Sequence, residues 1–147
     1  MLRSRLWAED TGSASLEFIT AGMVLLVPLV YLVVAVSSIQ AGALAAEGAA
    51  RQAARVFVQS PDEAAGEASA RRALDFALAD HGLTGGAQLD VNCSAAPCLT
   101  RREYVTVTVE LSVPLPLAPS ALVGDLPLAI PLRATATEQV SRYWGGQ

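Results

Sequence analysis

The chain has 147 residues, of which 52% are hydrophobic and 16% charged, and its formal net charge is −4. That length holds one modest domain plus an anchor. The mild acidity, with no basic stripe and no interleaving of basic and aromatic residues, excludes a nucleic-acid surface.

The apolar excess behind the mean hydropathy of +0.40 is concentrated in one block. Phe18 to Val36 reads FITAGMVLLVPLVYLVVAV and carries no charge. At about 1.5 Å per residue this block spans about 28 Å, close to the hydrocarbon thickness of a bilayer. A single-pass transmembrane helix is therefore expected. The competing reading is a cleaved secretory signal. The block is longer than the usual apolar region of such signals, and Ala41-Gly42-Ala43 is the only cleavage-like site near its end. Arg3 and Arg5 precede the block, and the next basic residue is Arg51. This asymmetry predicts a cytoplasmic N-terminus, with the bulk of the chain extracytoplasmic at the cell membrane. Pro28 lies inside the block, and a kink near residues 24–28 is expected there. Ala21 and Gly22 offer a small face to a neighbouring helix, although ordinary membrane-helix composition accounts for them equally well.

Glu17 stands directly before the apolar block. A carboxylate at the edge of a membrane core is costly unless it is solvated, paired or near the positive end of a helix. One reading is an interfacial residue favoured by the helix dipole. The other is a partner for a cation on a neighbouring copy, such as a free α-amino group created by cleavage just upstream.

Gly12-Ser13-Ala14-Ser15-Leu16-Glu17-Phe18 resembles the processing site of type IV-like prepilins: a glycine, four residues, a glutamate, an aromatic residue and then a long apolar helix. The chain as a whole is similar to the TadE-like pseudopilins of tight-adherence (Flp) pilus systems. The stretch Leu132-Arg133-Ala134-Thr135-Ala136-Thr137-Glu138 resembles the alternating strand with which those proteins often end. The resemblance implies a cytoplasmic leader over residues 1–12 and cleavage between Gly12 and Ser13 by a membrane prepilin peptidase. It also implies a role in assembly or recognition for Glu17 and Phe18, with other pilus subunits or assembly-platform proteins as partners. Ser13 departs from the large apolar residue that many prepilins carry after the glycine. Glu9 and Asp10 dilute the basic leader.

Beyond the block, residues 39–57 are alanine-rich and continue the helix. Glu47, Arg51 and Arg55 fall four residues apart in the favourable order. Ala43, Ala46, Ala50, Ala53 and Ala54 form a small-residue face, read either as a lateral packing surface or as generic helix composition. One long helix over residues 15–58 is expected. A second helix is predicted to start at Ser60-Pro61-Asp62-Glu63, with Ser60 as cap, Pro61 in the first turn and Glu63 completing a capping box. It should end at His81-Gly82. His81 is the only histidine, and a helix C-terminus explains it.

After a turn at Thr84-Gly85-Gly86, a strand is predicted over 87–93. The strongest strand signal in the chain follows at Tyr104 to Val113, where Val105, Val107, Val109, Leu111 and Val113 alternate with polar residues. Cys93 and Cys98 lie between these strands. Four intervening residues do not make a redox CxxC, and a zinc site lacks its other ligands. The readings left are a short-loop disulfide in an oxidising compartment, favoured by the upstream anchor, and two free thiols. Pro114, Pro116, Pro119, Pro127 and Pro131 predict an extended connection, with a helical turn over Ser120 to Val123. Leu132 to Val140 is predicted as a third strand, antiparallel to 104–113. Arg142-Tyr143-Trp144 closes the chain, with Tyr143 and Trp144 expected to cap the small core and docking on the membrane or a partner as the alternative.

The expected fold class is thus α+β: a long transmembrane helix kinked at Pro28, a second helix and a small antiparallel sheet of about three strands. Residues 1–12 are the leader, 13–58 the helix with its extracytoplasmic extension, and 59–147 the small domain. The chain carries no phosphate loop, paired catalytic carboxylates or Ser/His/Asp set, so neither enzymatic activity nor a cofactor or metal is expected. The leading functional reading is a membrane-anchored minor pseudopilin or assembly component. The alternative is an uncut, signal-anchored envelope binding or regulatory module with no pilus role.

Overall fold

A computed structural model of the chain describes residues 13–83, 86–116 and 128–145. It contains helix α1 (Ser13–Val58), helix α2 (Glu63–Asp80) and strands β1 (Gln88–Cys93), β2 (Tyr104–Pro114) and β3 (Ala129–Gln139). The protein is α+β, as its residue pattern predicts. The chain divides into two units, Met1–Val36 and Ser37–Gln147, and α1 contributes to both.

In the first unit α1 is helical throughout, and Pro28 sits within it. Its large apolar side chains face outward, from Leu16 and Phe18 to Val36. Nothing within 4 Å would meet a Cβ added at Gly22.

The second unit is a two-layer structure, with helices on one face of an antiparallel sheet ordered β1-β2-β3. The alternation in β2 decides which face is covered. Val105, Val107, Val109, Leu111 and Val113 are buried, whereas Tyr104, Glu110 and Ser112 on the opposite face are exposed. The buried face meets two groups of residues. Ala45, Ala46, Ala49 and Ala50 of α1 pack with Leu74 and Leu78 of α2 and with Val109, Leu111 and Val113. Further along, Ala53, Ala54, Phe57 and Val58 pack with Ala70, Leu99, Val105, Val107 and Val140. The alanine face of α1 is therefore filled by the chain's own sheet and second helix. Of the two readings of that face, the lateral packing surface for another molecule does not hold for Ala46, Ala50, Ala53 and Ala54.

Small side chains let the layers approach closely, and Gly42 marks the tightest point. A Cβ there would lie 2.3 Å from Val113 Cγ2 and 3.1 Å from Leu132 Cδ1. Gly66 of α2 plays the same part against the ring of Phe57, 3.0 Å from such a Cβ.

The start of α2 differs from expectation. Its N-cap is Asp62, whose side chain accepts from Ala65 N–H at 2.8 Å. Ser60 instead donates its hydroxyl to Val56 C=O at 2.8 Å, closing the end of α1, and Pro61 lies in the intervening turn. The capping box does not form, because Glu63 accepts from Cys98 N–H at 2.6 Å. The C-terminus follows the prediction. Leu83 N–H reaches Leu78 C=O and Gly82 N–H reaches Ala79 C=O, with Gly82 at φ 68°. Glycine adopts that left-handed conformation without a Cβ penalty.

Strand β3 begins at Ala129, earlier than the predicted Leu132, and includes Pro131. An edge strand tolerates a proline whose missing N–H would point away from its neighbour. The predicted helical turn at Ser120 to Val123 lies outside the described residues, as do Thr84 and Gly85 of the predicted turn. At the C-terminus Trp144 caps the core as expected, donating Nε1–H to Ser60 C=O at 3.0 Å and packing on the second cluster. Tyr143 remains exposed under the guanidinium of Arg142.

Candidate functional site

Two features carry chemistry beyond packing: the first half of α1 and the disulfide loop. Gly12 and the rest of the expected leader, residues 1–12, lie outside the described residues. Ser13 is the first residue of α1. Glu17 follows one turn later and is exposed, and it has no ion-pair partner among the described residues. It shares one side of the helix with Leu16, Thr20, Ala21 and Val24, which line a shallow groove with it. Thr20 Oγ1 donates to Leu16 C=O at 2.7 Å, which satisfies a hydroxyl that would otherwise be orphaned in an apolar surrounding. Phe18, 81% exposed, projects from the same turn.

From Phe18 to Val36 the helix presents a sleeve of valine, leucine, isoleucine, methionine and phenylalanine with no charge. By length and composition it is able to cross a membrane. Soluble surfaces rarely expose a contiguous apolar area of this extent, and a helix satisfies its own backbone polar groups, as a hydrocarbon environment requires.

The sequence places Cys93 and Cys98 close in the chain, and the structure joins them as a disulfide with a Cα–Cα distance of 5.2 Å. The reading as free thiols does not hold. The bridge closes the connection between β1 and β2, and two further ties hold that connection. Ser94 Oγ donates to Glu103 Oε2 at 2.7 Å and accepts from Tyr104 N–H at 2.8 Å. Glu63, at the start of α2, takes the Cys98 N–H. The loop is thus docked on the helix layer, with Leu99 buried beneath it. Sequence reasoning missed the Glu63 and Trp144 ties, because both join residues far apart in the chain. Gly42 enters the sequence reading only within the cleavage-like Ala41-Gly42-Ala43, and its close approach to Val113 is visible only in the fold.

No group of three or more His, Cys, Asp or Glu side chains able to hold a metal occurs among the described residues. Comparison with protein-family models, with curated proteins and with solved structures found no match.

Proposed function

We propose that this protein is a membrane-anchored minor pseudopilin or assembly component of a tight-adherence (Flp-type) pilus or related secretion apparatus, cut between Gly12 and Ser13. The observation that carries the reading is the juxtaposition of Glu17 with an uncharged, outward-facing apolar helix segment that begins at Phe18. The segment anchors the chain in the cell membrane. Glu17 then sits at the cytoplasmic edge of the hydrocarbon, where the α-amino group of a processed Ser13 on a neighbouring chain supplies the cation it lacks. The small domain lies on the extracytoplasmic side, where the Cys93–Cys98 bridge persists. The role is structural: the prepilin peptidase performs the chemistry at Gly12-Ser13, and the mature chain serves the other pilus subunits or the assembly platform.

The test is the N-terminal residue of the protein isolated from its native membrane, read by mass spectrometry. A chain that begins at Ser13, and does so only when the peptidase is active, supports the reading. A chain that retains Arg3 and Arg5 sinks the pilus role and leaves an uncut, signal-anchored envelope module.

A further inference from the structure

Both edges of the sheet are open. Among the described residues no strand pairs with the outer side of β1 or of β3. Such edges present rows of unpaired N–H and C=O groups to any neighbour, and the register identifies them. Leu115 N–H donates to Leu128 C=O and Val140 N–H to Glu103 C=O. With hydrogen bonds alternating along antiparallel strands, the even-numbered residues of β3 bond to β2. Arg133, Thr135 and Thr137 therefore aim their backbone groups outward. Ser94 N–H donates to Tyr104 C=O, so by the same alternation Leu89, Val91 and Cys93 aim theirs outward from β1.

Side-chain faces restrict how two such edges combine. The outward-bonding residues of β3 carry side chains on the open face of the sheet, and those of β1 carry theirs on the helix face. Residues level with each other in a parallel pair share a face while their bonding positions alternate. A β3 edge and a β1 edge therefore join with both helix layers on the same side only when they run parallel. The alternatives that keep the layers aligned are β3 with β3 and β1 with β1, each antiparallel. The direction of α1 separates these cases. Gly42 lies against Val113 and Leu132, and Phe57 packs with Val105 and Val140, so α1 runs in the same direction as β3. An antiparallel partner would carry its helix reversed. Copies anchored in one membrane all receive the chain at Ser37, and of these arrangements the parallel one keeps every such entry point at the same end of the row.

We infer that the β3 edge of one copy takes the β1 edge of the next as a parallel strand, joining extracytoplasmic domains into an open-ended lateral array. The inference rests on the membrane anchoring proposed above. The edges fit in length: β1 has 6 residues, and β3 offers the stretch 132–139 beyond Pro131. They also fit in chemistry. Within one sheet Asp90 is level with Thr108, and Thr108 with Thr135. A neighbour placed in the same register sets its Leu89 and Val91 beside Ala134 and Ala136 on the helix face. On the open face its Asp90 stands beside Thr135, one diagonal from Arg133, which also pairs with Glu110 at 3.3 Å. Head-to-tail contacts of this kind do not close on themselves, so the product is a row rather than a dimer.

The test uses the full chain in its native membrane, washed with alkaline carbonate, carrying Asp90→Cys together with Thr135→Cys. Mild oxidation should yield a ladder of dimers, trimers and larger species on a non-reducing gel, while each single variant stays monomeric. Adding Thr137→Pro, which removes an outward N–H much as Pro131 does, should abolish the ladder while the domain still unfolds cooperatively in urea. Monomers alone from the double variant in the carbonate-resistant fraction would overturn the edge pairing and leave the anchor standing. A dimer from either single variant, or a ladder that survives Thr137→Pro, overturns it as well. Protein absent from the washed membrane would overturn the anchoring reading and, with it, the shared orientation that selects this pairing.

Discussion

The two halves of α1 belong to one helix and obey opposite rules. Before Ser37 its side chains are large and face outward: Phe18 is 81% exposed and Leu25 73%. From Gly42 to Phe57 they are mostly small and covered, with Ala49, Ala50, Ala53 and Ala54 at 0%. Hydropathy alone would place the first half in a core and the second at a surface. The inversion teaches that burial follows what is available to pack. Small residues admit a sheet and a helix to close range, whereas a sleeve of large apolar residues left exposed among the described residues calls for a different apolar solvent.

Mutations of buried residues in the second half should lower the stability of the domain, and mutations in the exposed first half should not. The largest loss belongs to Phe57, which joins α1, α2 and the sheet. Phe57→Ala should cost about 3–5 kcal/mol, read by urea unfolding of the full chain in detergent micelles. Leu25→Arg should leave that unfolding curve in place yet cost about 2.5–3.5 kcal/mol of membrane insertion, read as loss from carbonate-washed membranes. A matching loss of domain stability would show that the exposed half packs on protein after all. A closer comparison uses two glycines of one helix. Gly42→Ala drives a methyl group into Val113 and should cost about 1–3 kcal/mol. Gly48→Ala meets nothing within 4 Å and should stabilise by about 0.5–1 kcal/mol through helix propensity. Thermal melts that move the two variants in the same direction would break the comparison. Asp62→Ala, which removes the N-cap of α2, should destabilise by about 1 kcal/mol. Neither Ser60 nor Glu63 stands in for it, since of these three residues Asp62 bonds Ala65 N–H.

Elements with a strong period were readable from the chain itself. The valine alternation of β2 and the charge-free run from Phe18 to Val36 declare a strand and a long apolar helix without reference to the rest of the fold. What was not readable depends on distant partners. Ser60 and Asp62 are both good capping residues, and the choice between them turns on Ser60 closing α1 at Val56 C=O. Glu63 fits a capping box by spacing, yet its carboxylate goes to Cys98, 35 residues away. Pro131 looks like the end of a connection until β3 is known to be an edge strand. The alanine face of α1 was visible as small residues, but its occupant was not, because a small side chain specifies close approach and not the identity of what approaches. In the candidate site, Glu17 and Phe18 were legible as a pattern. The exposure of the apolar segment that gives them meaning follows only from the fold.

In the proposed topology the apolar half of α1 lies in a bilayer with the small domain outside the cytoplasm. Protease added to the outside of intact cells tests this directly, with antibodies to the domain and to a tag following Ser13 reporting the products. The domain should be digested while a fragment containing Phe18 to Val36 stays protected in the membrane. A domain that resists protease until the cells are broken would contradict that topology.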